Sequence, residues 1–209
     1  QMCIRDSLET CKIVASNALD EYLIRDLLMQ GAQIDTFGVG ERLITSKSDP
    51  VFGCVYKLAA VENENGTIIP KIKVSENTAK ITNPHFKRVY RLFDNESGKA
   101  LADELCIHDE RISEDCPHTI FDPETTWKTK TLTNFTAKEL LVPVFRGGTR
   151  VYEIPPLNAV KAYCAEQVES LWDEVKRFEN PHKYYVDLSR RLWDVKHALL
   201  EKNKQGKPD

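Results

Sequence analysis

The 209-residue sequence has no stretch approaching the roughly 18 consecutive apolar positions that a membrane-spanning helix requires, which excludes a helical membrane protein. A surplus of one charge sign is missing too. Lys and Arg number 29 against 32 Asp and Glu, a formal net charge of −3, too balanced for the field expected of a protein that lives on nucleic acid or anionic lipid. Any phosphate must therefore be held locally. Repeats and low-complexity tracts are absent, as are a Ser-His-Asp order and paired carboxylates at a recognisable spacing. With 41% hydrophobic and 29% charged residues, disorder and collagen are excluded as well. The length suits one large domain or a domain with an appended subdomain.

Cysteine is present without a disulfide pattern. Cys3, Cys11, Cys54, Cys106, Cys116 and Cys164 are dispersed over a chain large enough to fold without staples, and no secretory leader is read. Reduced thiols and a cytoplasmic setting are expected. Cys106 and His108 with Cys116 and His118 could supply four zinc ligands, but Cys-x-His is not a common zinc spacing, and surface-loop roles are expected instead. No metal site is assigned. Gln1 to Ser7 resembles a translated adapter scar, so the chain is expected to be the C-terminal piece of a longer protein.

Lys12 to Ala15 is a β-favouring run. Leu23, Ile24, Leu27 and Leu28 then mark one helical face, stopped by Gly31, and Ala32 to Phe37 reads as a second strand. Two strands joined by a helix imply parallel pairing, with the loops after both strands side by side. From Pro50 onward, Val51 to Val61, Lys71 to Val74 and Lys87 to Phe93 predict a mainly antiparallel β region. Turns are expected at Asn63 to Gly66 and at Asp94 to Gly98. Ile107 to Lys130 reads as irregular, and Leu140 to Phe145 with Thr149 to Tyr152 as a strand pair. A helical run extends from Pro156 to Phe178, Asn180-Pro181-His182 breaks it, and Leu188, Leu192, Val195 and Leu199 share a second helical face.

Chemistry concentrates after the first two strands. Gly38-Val39-Gly40-Glu41 follows a strand, and glycines there let backbone N–H groups approach an anion closely; the alternative is a tight turn. Ser16-Asn17 would present hydroxyl and amide donors to the same anion near a helix N-terminus. Asp20 reads as a helix-start residue. Lys57, inside an apolar strand, and Arg42 either face solvent or reach a substrate phosphate or carboxylate. His85, His182 and His197 have no partner visible in sequence, and Trp172 and Trp193 read as core-facing helix positions.

These residues also carry a resemblance. Lys12 to Glu21, Phe37 to Gly40, Gly53 to Leu58, Phe121 to Pro123, Leu141 to Phe145 and Asn180 to Ser189, in that order, resemble the C-terminal half of nicotinate phosphoribosyltransferase. The resemblance covers essentially everything after Leu8. It implies an α/β fold of the type II phosphoribosyltransferase class. Residues 8–60 would form the last βα units of an incomplete (β/α) barrel, 61–155 an antiparallel β-rich segment and 156–209 two C-terminal helices. It also implies nicotinate and 5-phosphoribosyl 1-diphosphate as substrates, ATP and Mg²⁺ as companions, and a homodimer. Ser16, Asn17, Gly38, Val39, Gly40 and Glu41 would bind phosphate and ribose, with Arg42 and Lys57 behind them. The family's phosphorylated histidine, its aromatic residue on nicotinate and most of its arginines would lie upstream of Leu8, so no catalytic residue is assigned here. The chain departs from the family at Ala18, where Asn or Asp is common, and at Gly53-Cys54, where Gly-Gly is common. The rival readings are a nicotinamide-using or quinolinate-using relative and a non-catalytic assembly module.

Overall fold

A computed structural model describes residues 10–205. The chain divides by its own contacts into two units, the first reaching Val55 and the second beginning at Tyr56.

In the first unit, strand β1 (Val14–Ser16) leads through a short loop into helix α1 (Glu21–Met29). Strand β2 (Thr36–Gly38) then leads into the four-residue helix α2 (Glu41–Ile44). The strands pair in parallel as expected, with Ser16 opposite Gly38. The Asp20 side chain accepts the Leu23 N–H at 2.9 Å, which satisfies one of the donors a helix start leaves open. At the other end Gly31, at φ +77°, reverses the chain: its N–H donates to the Leu28 carbonyl, and that of Ala32 to the Leu27 carbonyl. Apolar burial is slight. Leu19 is buried, whereas Val14, Leu28 and Met29 stay exposed.

The second unit is built on a mixed four-stranded sheet. Before it, the hairpin of β3 (Ala60–Glu62) and β4 (Ile68–Pro70) turns at Asn63, whose side chain accepts from the Asn65 and Thr67 N–H groups. Strands β5 (Lys87–Asp94) and β6 (Ala100–Ile107) form the sheet's central hairpin around the expected turn. A bulge between Leu92 and Phe93 shifts their register. Outside the sheet, β7 (His118–Phe121) and β8 (Thr129–Leu132) make a second hairpin. Strand β9 (Phe135–Glu139) closes antiparallel on β5, and β10 (Phe145–Arg146) pairs with β11 (Thr149–Arg150). Helix α3 (Leu157–Glu169) follows. Strand β12 (Val186–Leu188) then joins β6 in parallel and runs into helix α4 (Arg190–Gln205).

Strand β6 is buried on both faces. Tyr90, Leu92, Ala102, Cys106, Ile120, Leu132 and Phe135 cluster on one side, while Ile107, Leu188 and Leu192 pack with Leu105 and Trp193 on the other. This dual burial hides the alternation by which a half-buried strand is read.

Several expectations are corrected. Val51 to Ala59 forms no strand, for want of a ladder partner, and the exposed Lys57 keeps to the solvent-facing one of its two readings. Lys71 to Val74 is likewise not a strand. The segment read as irregular contains β7 and part of β8, whose Thr-rich hairpin pairs Thr119 with Thr131 through their hydroxyls at 2.8 Å. Cys106 and His118 belong to strands rather than surface loops. The helix begun after Pro156 stops at Glu169, so Trp172 and Phe178 lie beyond it and are exposed. Leu188 belongs to β12 and not to the helical face that Leu192 starts. The scar, with Cys3, lies outside the described residues.

Candidate functional site

The two loops of the first unit converge. Asn17, Gly38, Gly40, Glu41 and Arg42 line one concavity of about 510 Å³ together with Ala18, Leu19, Thr45 and Lys47. Parallel pairing places the ends of β1 and β2 side by side, and both loops leave from those ends, where α/β folds take their ligands. Ser16 and Val39 adjoin this lining without belonging to it. Lys57 belongs to the second unit, where it is exposed.

Backbone conformation explains the residue types. Asn17 and Ala18 both adopt positive φ, +86° and +49°. Asn tolerates that region, whereas Ala pays roughly 1 kcal/mol or more for it. The Asn or Asp that the family resemblance puts in place of Ala18 would therefore suit this backbone better. At Gly38 an added Cβ would come within 3.3 Å of Ser16 Cβ, a tight contact that the neighbouring strand would have to yield to by a few tenths of an ångström. At Gly40 a Cβ would meet nothing within 4 Å, so packing places no such demand there.

A carboxylate clasp fixes the two loops to each other. Asp20 caps α1 and also accepts from Arg42 Nη1, joining the start of α1 to the start of α2. The Leu23 N–H first, and Arg42 with it, hold the Asp20 carboxyl below its usual range. Glu21 is held low by the Ser48 hydroxyl, which donates to it at 2.6 Å. The α1 N-terminus is thus already occupied by this chain's own acids. An anion in the concavity would instead meet the Gly38–Glu41 backbone, the Asn17 amide and Lys47. Lys47 escaped the sequence reading; a cation five residues past Arg42, beyond one helical turn, was the available signal.

In the second unit, the run from Asn180 to Ser189 delivers charged groups to the sheet. Arg91 grips Asp103 with two parallel bonds of 2.8 and 2.9 Å, the Tyr184 hydroxyl donates to Asp103 at 2.8 Å, and Arg91 also reaches Gln167 of α3 at 3.2 Å. Burial, then Asp103, pushes the Tyr184 phenol up. His118 Nε2 meets Glu104 at 2.5 Å, which raises the histidine's pKa, and burial pushes the Cys106 thiol up. Of the would-be zinc residues, Cys106 is thus spent on packing and His118 on pairing, while Cys116 is exposed. Among the described residues no group of three or more His, Cys, Asp or Glu could hold a metal ion.

Residues 86–196, more than half of the chain, match the profile of the nicotinate phosphoribosyltransferase C-terminal domain. The chain belongs to this family. It is 38% identical over 193 residues to nicotinate phosphoribosyltransferase of Bacillus subtilis, covering 92% of this chain and 39% of that protein. With the Dictyostelium discoideum enzyme it shares 35% over 202 residues, covering 93% and 33%. The crystal structure of human nicotinic acid phosphoribosyltransferase superposes with a TM-score of 0.67 at 24% identity, over 92% of this chain and 34% of that one, a likeness in fold. The chain thus spans between a third and two fifths of the length of these relatives. Its mixed sheet and helices agree with an α/β class, and no described helix is long and apolar enough to cross a membrane.

Proposed function

We propose that the chain is the C-terminal part of a nicotinate phosphoribosyltransferase and that its first unit contributes the phosphate and ribose end of the site. The complete enzyme joins nicotinate to 5-phosphoribosyl 1-diphosphate, giving nicotinate mononucleotide and diphosphate with ATP hydrolysis, a glycosyl transfer grouped with the ligases. The carrying observation is the meeting of the Asn17 and Gly38–Glu41 loops around one concavity at the ends of paired parallel strands. In this reading Ser16 and Asn17 offer hydroxyl and amide donors, and the loop from Gly38 through Val39 and Gly40 offers backbone N–H groups. Glu41 meets the ribose hydroxyls. Arg42, held by Asp20, fixes the loop spacing. These donors bind and orient a phosphate without bond-making of their own.

Residues 8–60 then form the last barrel units, 61–155 the β-rich segment and 156–209 the helical end, in a cytoplasmic homodimer. ATP and Mg²⁺ are implied as companions. The described residues gather no group of three or more His, Cys, Asp or Glu for the ion. Diphosphate release by the complete protein, with nicotinate compared against nicotinamide, tests the reading. Nicotinate should support turnover, and the 209-residue chain alone should be at least about 100-fold slower because groups from other strands are missing. Preference for nicotinamide or quinolinate, or turnover by the chain alone, would refute it.

A further inference from the structure

Strand β12 is only three residues long, and its central residue is an acid. Val186, Asp187 and Leu188 pair in parallel with Asp103, Glu104 and Leu105, so Asp187 stands beside Glu104 on one face of the sheet while Leu188 faces the α4 side. Both acids are 3% exposed. Glu104 has His118 as its partner, whereas Asp187 Oδ1 is buried with no hydrogen-bond partner. A third buried acid, Asp122, lines the same cavity of about 280 Å³ as Asp187, with Lys128 and Lys130. Asp122 is committed elsewhere: its Oδ1 accepts the Glu124 and Thr125 N–H groups, and Lys183 Nζ lies 3.7 Å from its Oδ2.

We propose that the β12–β6 joint is a proton-operated latch, locking β12 and α4 onto the sheet when Asp187 is protonated and opening more readily when Asp187 is ionised beside Glu104 and Asp122. An ionised acid with an orphaned buried oxygen lacks compensation, while its neutral form can remain at far lower cost.

The groups facing Asp187 are Glu104 on β6, with His118 of β7 upon it, Asp122 after β7, Lys128 and Lys130 at β8, and Lys183 and Tyr185 before β12. Burial first, then Asp122 and Glu104, raise the Asp187 carboxyl to about 6, and Lys183 opposes them weakly. The docked state therefore binds the proton more tightly than the open one, whose value is the ordinary 3.8. Docking is favoured in acid, weakens as pH rises from about 4 to about 6, and stays weaker above. Asp122 is shifted down and titrates below this window; His118 is shifted up and titrates above it.

Amide hydrogen exchange on the 209-residue chain tests the latch, after correction for intrinsic rates. The Ser189 N–H, donated to the Leu105 carbonyl, and the Asp103 N–H, donated to the Tyr185 carbonyl, report on the joint; the β5–β9 ladder serves as reference. Between pH 4 and 6.5, protection at the joint should fall roughly 10- to 100-fold more than at the reference, as about two pKa units of differential proton affinity require. Asp187→Asn should flatten this fall. Asp122→Asn should move its midpoint to lower pH by removing a neighbouring negative charge. A flat profile in the unmodified chain, a fall matched by the reference ladder, an unchanged fall in Asp187→Asn, or an unmoved midpoint in Asp122→Asn would each overturn the proposal.

Discussion

Replacing Gly40 with valine separates binding from folding. A Cβ at this position meets no atom within 4 Å. The substitution displaces no packed neighbour in the first unit, so unfolding should shift by no more than about 0.5 kcal/mol, the scale of a surface change. Gly40 lines the concavity, and in its proposed role a branched side chain there would stand between the loop N–H groups and a bound phosphate. Losing one or two charge-assisted hydrogen bonds, at about 1.5 to 3 kcal/mol each, lowers affinity by roughly one to four orders of magnitude. Gly38→Ala is the contrasting variant: its Cβ would press on Ser16 Cβ at 3.3 Å, so it should disturb strand pairing along with binding. Thermal unfolding and titration of 5-phosphoribosyl 1-diphosphate, both on the complete protein, read the two effects. If Gly40→Val leaves affinity within about twofold, a change below about 0.5 kcal/mol, the loop is only a turn and the phosphate assignment fails.

Three further outcomes can be measured by denaturant unfolding of the second unit. Leu192→Ala, which truncates a side chain buried between Ile107 and Leu188, should cost about 2 to 5 kcal/mol; a loss below about 1 would mean that α4 is not packed as described. Tyr184→Phe removes the hydroxyl donated to Asp103 but keeps Arg91 in place, and should cost about 1 to 3 kcal/mol, with no loss arguing that the bond is incidental. The raised pKa of His118 contributes stability that is fully present below its ordinary value of 6.5 and is lost as pH rises through the folded value. The urea midpoint should accordingly decline above about pH 6.5 and His118→Gln should abolish that decline; an identical slope in the variant would assign it to another group.

Local chemistry was legible in the sequence where a short segment determines its own shape. The capping role of Asp20, the stop at Gly31, the parallel β1–β2 pair and the turns at Asn63 and Asp94 all rest on interactions within a few residues, or on one strand-helix-strand crossover. Asn17, Gly38, Gly40, Glu41 and Arg42, which line the concavity, were legible as neighbours for the same reason, since both loops follow recognisable strands. Partners distant in sequence were not legible. Val51 to Leu58 has strand-like composition without a partner, and β12 is a strand only because β6 lies open beside it. Glu104 and Asp187 are buried acids, whose residue type argues for the surface until a neighbouring strand covers them.

The parallel joint between β12 and β6 also sets an order of assembly. Strands β5 and β6 meet across a single tight turn, whereas Asp187 must find Glu104 across the whole intervening chain, after β7, β8, β9 and α3. Closing so long a loop carries its entropic cost before any ladder bond forms, so this contact belongs late in folding. Until it arrives, the outer edge of β6 offers unpaired N–H and C=O groups to any passing strand. The hazard for this fold is thus kinetic: the interval in which β6 waits for a strand of three residues is the one in which a foreign edge can take its place.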